Sequence, residues 1–132
     1  MALHNDIGKV GEQLARRHLE EKGYAILETN WRLGKMEADI IAYKEGLVVF
    51  VEVKTRSSTL YGEPQDFVDY NKRRSYVKMA NAYIQARRRS EEVRFDIIAV
   101  EVGTTGYRLN HIENAFNAIE VWNNRSGRCF WK

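Results

Sequence analysis

Apolar residues recur at helical spacing in two stretches of the chain and cluster in short runs or alternations in five others. Residues 5–22 place Ile7, Val10, Leu14 and His18 on one stripe, with Gly11 and Ala15 beside it, the period of an amphipathic helix. Asn5 or Asp6 can cap its start, and Gly23 can stop it. Residues 24–32, 37–43 and 47–54 read as three strands, separated by turns at Gly34 and at Glu45-Gly46. Residues 56–66 hold the only proline and show no period, which predicts a loop. Helical spacing returns over 70–89, with Val77, Ala80 and Ile84 on one side and Arg74, Lys78, Asn81, Gln85 and Arg88 on another. Residues 94–102 and 107–112 predict two last strands around the turn 103–106. The tail, 117–132, is polar with isolated aromatics (Trp122, Phe130, Trp131) and predicts no element.

Connection lengths turn these elements into an α/β class. Short turns make the first three strands an antiparallel meander, and the helical crossover between the third and fourth makes those two parallel. The result is a central mixed sheet flanked by helices, formed by residues 1–116 as one domain. Residues 47–51 are apolar on both faces and belong in the middle of that sheet.

The turn at Glu45-Gly46 also places chemistry. A two-residue hairpin turn pairs Lys44 with Leu47. In that register Tyr43 faces Val48, Ile41 faces Phe50, Asp39 faces Glu52 and Glu37 faces Lys54. Alternation puts all of these on one sheet face. Opposed side chains have Cβ atoms about 4.5–5.5 Å apart. Two carboxylates therefore meet at the end of an apolar face, beside a lysine. Such a pair is destabilising unless one acid keeps its proton or a divalent cation lies between them. The plainer alternative is a strand-end network joining Lys54 to Glu37 or Glu52, worth about 0–1 kcal/mol. It leaves Asp39 or Glu52 without a partner.

Composition removes some classes of function. One cysteine, Cys129, excludes a disulfide framework, and His4, His18 and His111 show no ligand spacing. Without an apolar leader or a bilayer-length apolar run, the expected location is cytoplasmic. The net charge of +3 is unevenly spread: residues 72–94 carry eight Lys/Arg against two Glu, and the remainder is net acidic. Basic charge gathered in one element is either a footprint for nucleic acid or a solvated helix face. On the first reading Lys72, Arg74, Lys78 and Arg88 meet phosphates. The tetrapeptide DIIA occurs at 39–42 and again at 96–99. Asp96 lacks a following Glu-x-Lys and reads as ion-paired to a basic neighbour. His18, on the apolar stripe, reads as a buried, hydrogen-bonded histidine. Tyr61 and Gln65 lie in the loop that leaves the third strand near the acids.

Asp39, followed on the next strand by Glu52-Val53-Lys54, resembles the D…E-x-K signature of restriction-endonuclease-like nucleases. The likeness extends through GKVGEQLARRHLEEKGYAILETNWR (8–32), EADIIA (37–42), VVFVEVKTR (48–56), the Lys72 helix, RFDIIAV (94–100) and HIENAF (111–116). Over residues 5–116 the chain resembles the YraN-like family of proposed endonucleases, related to the archaeal Holliday-junction resolvases. The resemblance implies a restriction-endonuclease-like three-layer α/β fold. It also implies a Mg²⁺-dependent endonuclease, with Mn²⁺ as substitute, that hydrolyses DNA phosphodiester bonds in branched or structured DNA. Asp39 and Glu52 would hold the metal, and Lys54 would orient the attacking water and stabilise the phosphate. Glu12, beside the small residues Gly8 and Ala15, would join the metal shell; otherwise it pairs with Arg16 one turn on. A homodimer is open by analogy with the resolvases. The alternative of another class is a nucleic-acid-binding domain that keeps the fold without the chemistry; retention of Glu12, Asp39, Glu52 and Lys54 favours the enzyme.

Overall fold

The computed structural model describes residues 3–57 and 69–118, with side chains from Ile7 onward. In chain order the elements are α1 (Leu3–Glu21), β1 (Ala25–Leu33), β2 (Met36–Lys44), β3 (Leu47–Ser57), α2 (Tyr70–Ala86), β4 (Glu92–Val102) and β5 (Tyr107–Phe116). The strands form one sheet in the order β1-β2-β3-β4-β5. Every neighbouring pair is antiparallel except β3 and β4, which are parallel. The crossover through α2 falls at that pair, as a parallel connection requires. This is the expected α/β architecture, with helix, mixed sheet and helix in three layers. Among the described residues no helix is long and apolar enough to cross a membrane. Tyr61, Gln65 and nearly all of the tail lie outside the described residues.

β3 is central because it is apolar on both faces. Val48 and Phe50 join Ile41, Tyr76, Met79, Tyr83 and Phe95 in the core under α2. Val49, Val51 and Val53 join Ala15, Leu19, Ile40, Ile98 and Val100 in the core under α1. The hairpin before β3 has the expected form. Glu45 and Gly46 both take positive φ, 51° and 82°, as a type I′ turn needs, and Lys44 pairs with Leu47.

The helices meet the sheet through different residues than the apolar stripes predict. On α1 the buried positions are Gly11, Ala15 and Leu19, whereas Val10 is 42% exposed. The reason is closeness. A Cβ on Gly11 would overlap the Thr55 side chain, so α1 approaches β3 through its smallest residues. Gly8, by contrast, faces open space. On α2 the buried residues are Tyr76, Met79, Ala80 and Tyr83, with Val77 and Ile84 only partly covered. Asp69 caps the start of α2 by accepting the Lys72 N–H at 2.9 Å. The helix stops at Ala86, short of the expected residue 89. Arg88 takes a left-handed conformation (φ 54°) and Arg89 N–H bonds back to Ile84 O at 3.0 Å. This is a Schellman ending made without glycine, so the sequence carries no stop signal. β5 runs four residues further than expected, to Phe116, which pairs with Phe95.

Candidate active site

The β2/β3 ladder keeps its register from Lys44–Leu47 to Ile40–Val51 and then opens. Asp39 and Glu52 are the next residues on each strand, and the opening is refilled by side chains. Asp39 Oδ2 accepts the Val53 N–H at 2.8 Å. The Tyr76 hydroxyl accepts the Asp39 N–H at 3.3 Å and donates to Glu52 Oε1 at 2.6 Å. Lys72 Nζ stands 3.5 Å from Glu52 Oε2. Glu52 is 3% exposed, deep for a carboxylate.

Electrostatics follow from this packing. Burial, and then the charge of Glu52, push the Asp39 carboxyl up to about 8. The Val53 N–H opposes the rise, while the Glu12 charge and a hydrogen bond with Glu52 add to it. At neutral pH Asp39 therefore keeps its proton and shares it with Glu52. Of the two remedies for opposed acids, the retained proton is consistent with this packing. The donor set also suits the other remedy. Two oxygen-bearing acids joined by one proton match the preference of a hard divalent cation, which would replace that proton. Asp39 and Glu52 are the residues that could hold it.

The other expected residues are distributed unevenly around this pair. Lys54 follows Glu52 on the same face, half-buried, without an ion pair or hydrogen bond to another described residue. Glu37 does not face it across the ladder; it pairs with Arg32 of β1, 3.8 Å away. Glu12 is close enough for its charge to act on Asp39, but its Oε1 accepts from Asn30 Nδ2 at 3.4 Å. Among the described residues no three Asp, Glu, His or Cys side chains gather into a ligand set. Arg16 pairs with Glu20 at 3.5 Å rather than with Glu12. Lys72 belongs to the acid pair itself. Arg74 is half-buried and Lys78 exposed on α2. Asn81 and Gln85 instead line a cavity of about 280 Å³ between α2 and the β4/β5 side of the sheet. Arg88 lies past the helix end, so the expected basic stripe is broken there.

Four contributors escaped the sequence reading. Tyr76 was masked by its place among core aromatics, although its spacing of one turn from Lys72 could have marked it. Asn30 lies level with Asp39, between the pairs Thr29–Ile40 and Trp31–Ala38, at positive φ (51°). Asparagine tolerates that conformation, and only the fold tells why it is needed. Lys9 and Arg16 flank a cleft of about 190 Å³ whose wall includes Glu12, Asn30 and Asp39. Their spacing of seven on α1 was legible, but not what they face.

Fold and site together define a three-layer α/β domain with an acid pair, Glu52 buried and Asp39 half-buried, where two central strands part. Comparison with known proteins places the chain in a family. The model of the uncharacterised protein family UPF0102 matches residues 11–100, and the chain belongs to that family. A UPF0102 protein of Flavobacterium psychrophilum, FP2501, is 52% identical over 116 residues, covering 88% of this chain and 98% of the relative. One from Bacteroides thetaiotaomicron is 49% identical over 117 residues, covering 88% of this chain and 96% of its own. A third, from Alkaliphilus oremlandii, is 43% identical over 117 residues, covering 86% of this chain and all of the relative.

Proposed function

We propose that this protein is a Mg²⁺-dependent endonuclease of the cytoplasm that hydrolyses phosphodiester bonds in branched or structured DNA. The observation that carries this reading is the Asp39–Glu52 pair, in which burial and like charge hold one acid protonated up to about 8. Strongly perturbed acids in contact gather at functional sites. Asp39 and Glu52 would hold Mg²⁺, or Mn²⁺ in its place, with Glu12 on the far wall of the cleft. When bound, the ion supplies neutralising charge at the phosphoryl oxygens and a more acidic water.

The remaining work falls to the chain. Lys54, on the face of Glu52 and without a described partner, offers its ammonium to the attacking water or to the charge that develops on the phosphate. Such a group is worth about 10²–10³ in rate. Lys9 and Arg16 at the cleft, with Lys72, Arg74 and Lys78 on α2, offer cations to the DNA backbone. The likeness of the D…E-x-K spacing to junction resolvases supports a structured substrate. A homodimer suits that substrate, because a four-way junction presents two strands to be cut.

The test is a cleavage panel of duplex, single-stranded, flapped and four-way DNA with Mg²⁺ or Mn²⁺, beside an Asp39→Asn blank. Metal-dependent nicking by the wild type alone is the expected result. Binding without cleavage of every substrate would overturn the enzyme in favour of a nucleic-acid-binding domain.

A further inference from the structure

Tyr76 and Lys72 stand one helical turn apart on α2, and between them they hold both oxygens of Glu52. The two contacts differ in kind. Tyr76 is 1% exposed, and its ring packs edge-on to Phe116. Its hydroxyl has one proton, and Glu52 Oε1 at 2.6 Å is the nearest acceptor, with Val51 O further away at 3.4 Å. The same oxygen accepts the Asp39 N–H. Tyr76 therefore ties together the two strands where their ladder opens. It also fixes a glutamate side chain that otherwise has three torsions to choose. Lys72 has a flexible stem and a side chain 43% exposed, and it meets Oε2 at 3.5 Å. It supplies the positive charge that a buried carboxylate needs, at the oxygen Tyr76 leaves open.

Resting on the reading of Asp39 and Glu52 as a cation site, we propose that Tyr76 is a positioning residue that fixes Glu52 for a divalent ion, and that Lys72 is the resident counter-cation displaced when that ion binds. The two side chains then act on ion binding with opposite sign. Loss of the Tyr76 hydroxyl frees Glu52 to rotate and leaves the Asp39 N–H without its acceptor. Groups that orient a ligand from behind commonly change metal affinity about 10–100-fold. Loss of the Lys72 charge removes a competitor from Oε2. Once displaced, Lys72 stands on the exposed first turn of α2, beside the acid pair, where a phosphate of the substrate can take it up. Residues that merely brace the fold would lower the melting temperature without this pattern.

The experiment measures Mn²⁺ affinity by titration calorimetry on the full chain, for wild type, Tyr76→Phe and Lys72→Met, with melting in EDTA to check folding. Tyr76→Phe should bind Mn²⁺ at least about tenfold more weakly, and Lys72→Met more tightly than wild type. A folded Tyr76→Phe protein with wild-type affinity overturns the positioning role. Unchanged or weaker binding by Lys72→Met overturns the counter-cation role. Should Tyr76→Phe not fold, Lys72→Met decides, because its side chain reaches the pair from the surface. A wild type that binds no Mn²⁺ overturns the cation site and this inference with it. Binding by the wild type with unaltered variants overturns the inference alone.

Discussion

The same four residues, DIIA, occur in β2 and in β4, and their aspartates reach opposite electrostatic states. Asp96, with a side chain 0% exposed, is surrounded by donors. Arg94 meets both its oxygens at 2.8 Å, His111 Nε2 lies at 2.7 Å, and the Asn114 N–H donates at 3.0 Å. Burial pushes the Asp96 carboxyl up, but the hydrogen bonds of His111, Arg94 and Asn114 outweigh it and leave it below the usual range. Asp39 has one backbone donor to its carboxylate, Val53, and its charged neighbours Glu52 and Glu12 are acids. Local sequence placed both residues in a strand, Asp96 buried and Asp39 half-buried. Partners from other elements then made one an anchor and left the other short of a cation. A completed charge network holds a fold together, and an incomplete one is available for chemistry.

The largest expected difference is catalytic. Lys54→Ala should lower single-turnover nicking by at least about 10²-fold while gel-shift affinity stays near wild type. Asp39→Asn should abolish cleavage through lost metal affinity. Asp96→Asn should leave the rate per folded molecule unchanged. Nicking that falls equally in the Asp39 and Asp96 variants would erase the distinction between the two aspartates.

Stability should divide the other way. Asp96→Asn leaves Arg94 without its buried partner, and breaking such a pair costs about 3–5 kcal/mol in urea unfolding. Asp39→Asn should instead raise the melting temperature at pH 7. Unfolded Asp39 is ionised there and must take up a proton to fold; asparagine avoids that step and still donates to Glu52.

The pH dependence sharpens the contrast by sign. Asp96 has a depressed folded pKa, so its stabilisation is present above the usual aspartate range and is lost as pH falls through the folded value. Asp39 is raised, so its contribution is largest below about 3.8 and is lost as pH rises toward about 8. In EDTA, melting curves across pH should lose the acid limb in Asp96→Asn and the decline between about pH 4 and 8 in Asp39→Asn. A slope between about pH 4 and 8 unchanged by Asp39→Asn would place the titration elsewhere.

Legibility differed between these features for physical reasons. The Glu45-Gly46 turn fixed a register of period two, so the meeting of Asp39 and Glu52 could be read from residue numbers. The parallel β3/β4 pair followed from the length of the crossover. Asp96 with Arg94 was legible as an acid two residues from a base on one strand face. The opening of the ladder past Ile40–Val51 was not, because Tyr76, 37 residues from Asp39, completes it. Nor was the true face of α1, since apolar periodicity weighs Val10 above Gly11 while close packing on Thr55 weighs them in reverse.

The smallest expected effect lies at the outer end of the Asp96 network. His111 bridges Asp96 and His18, with Nε2 2.7 Å from Asp96 Oδ2 and Nδ1 3.1 Å from His18 Nε2. Burial, and then the charges of His111 and Lys22, hold His18 below its ordinary value against the opposing charge of Glu21, so it is neutral at pH 7. His18→Ala removes one hydrogen bond and an edge-on ring contact at 5.1 Å. The Asp96 shell itself stays complete, so the loss should be about 1 kcal/mol, well below that of Asp96→Asn. The sign with pH is also set. A base whose folded pKa is lowered contributes stability above its unfolded value of 6.5 and loses it as pH falls. The variant should therefore lose less stability than wild type on acidification below about 6.5, with nicking unaffected. A cost equal to that of Asp96→Asn would mean that the histidine pair, rather than Arg94, is what holds Asp96 ionised.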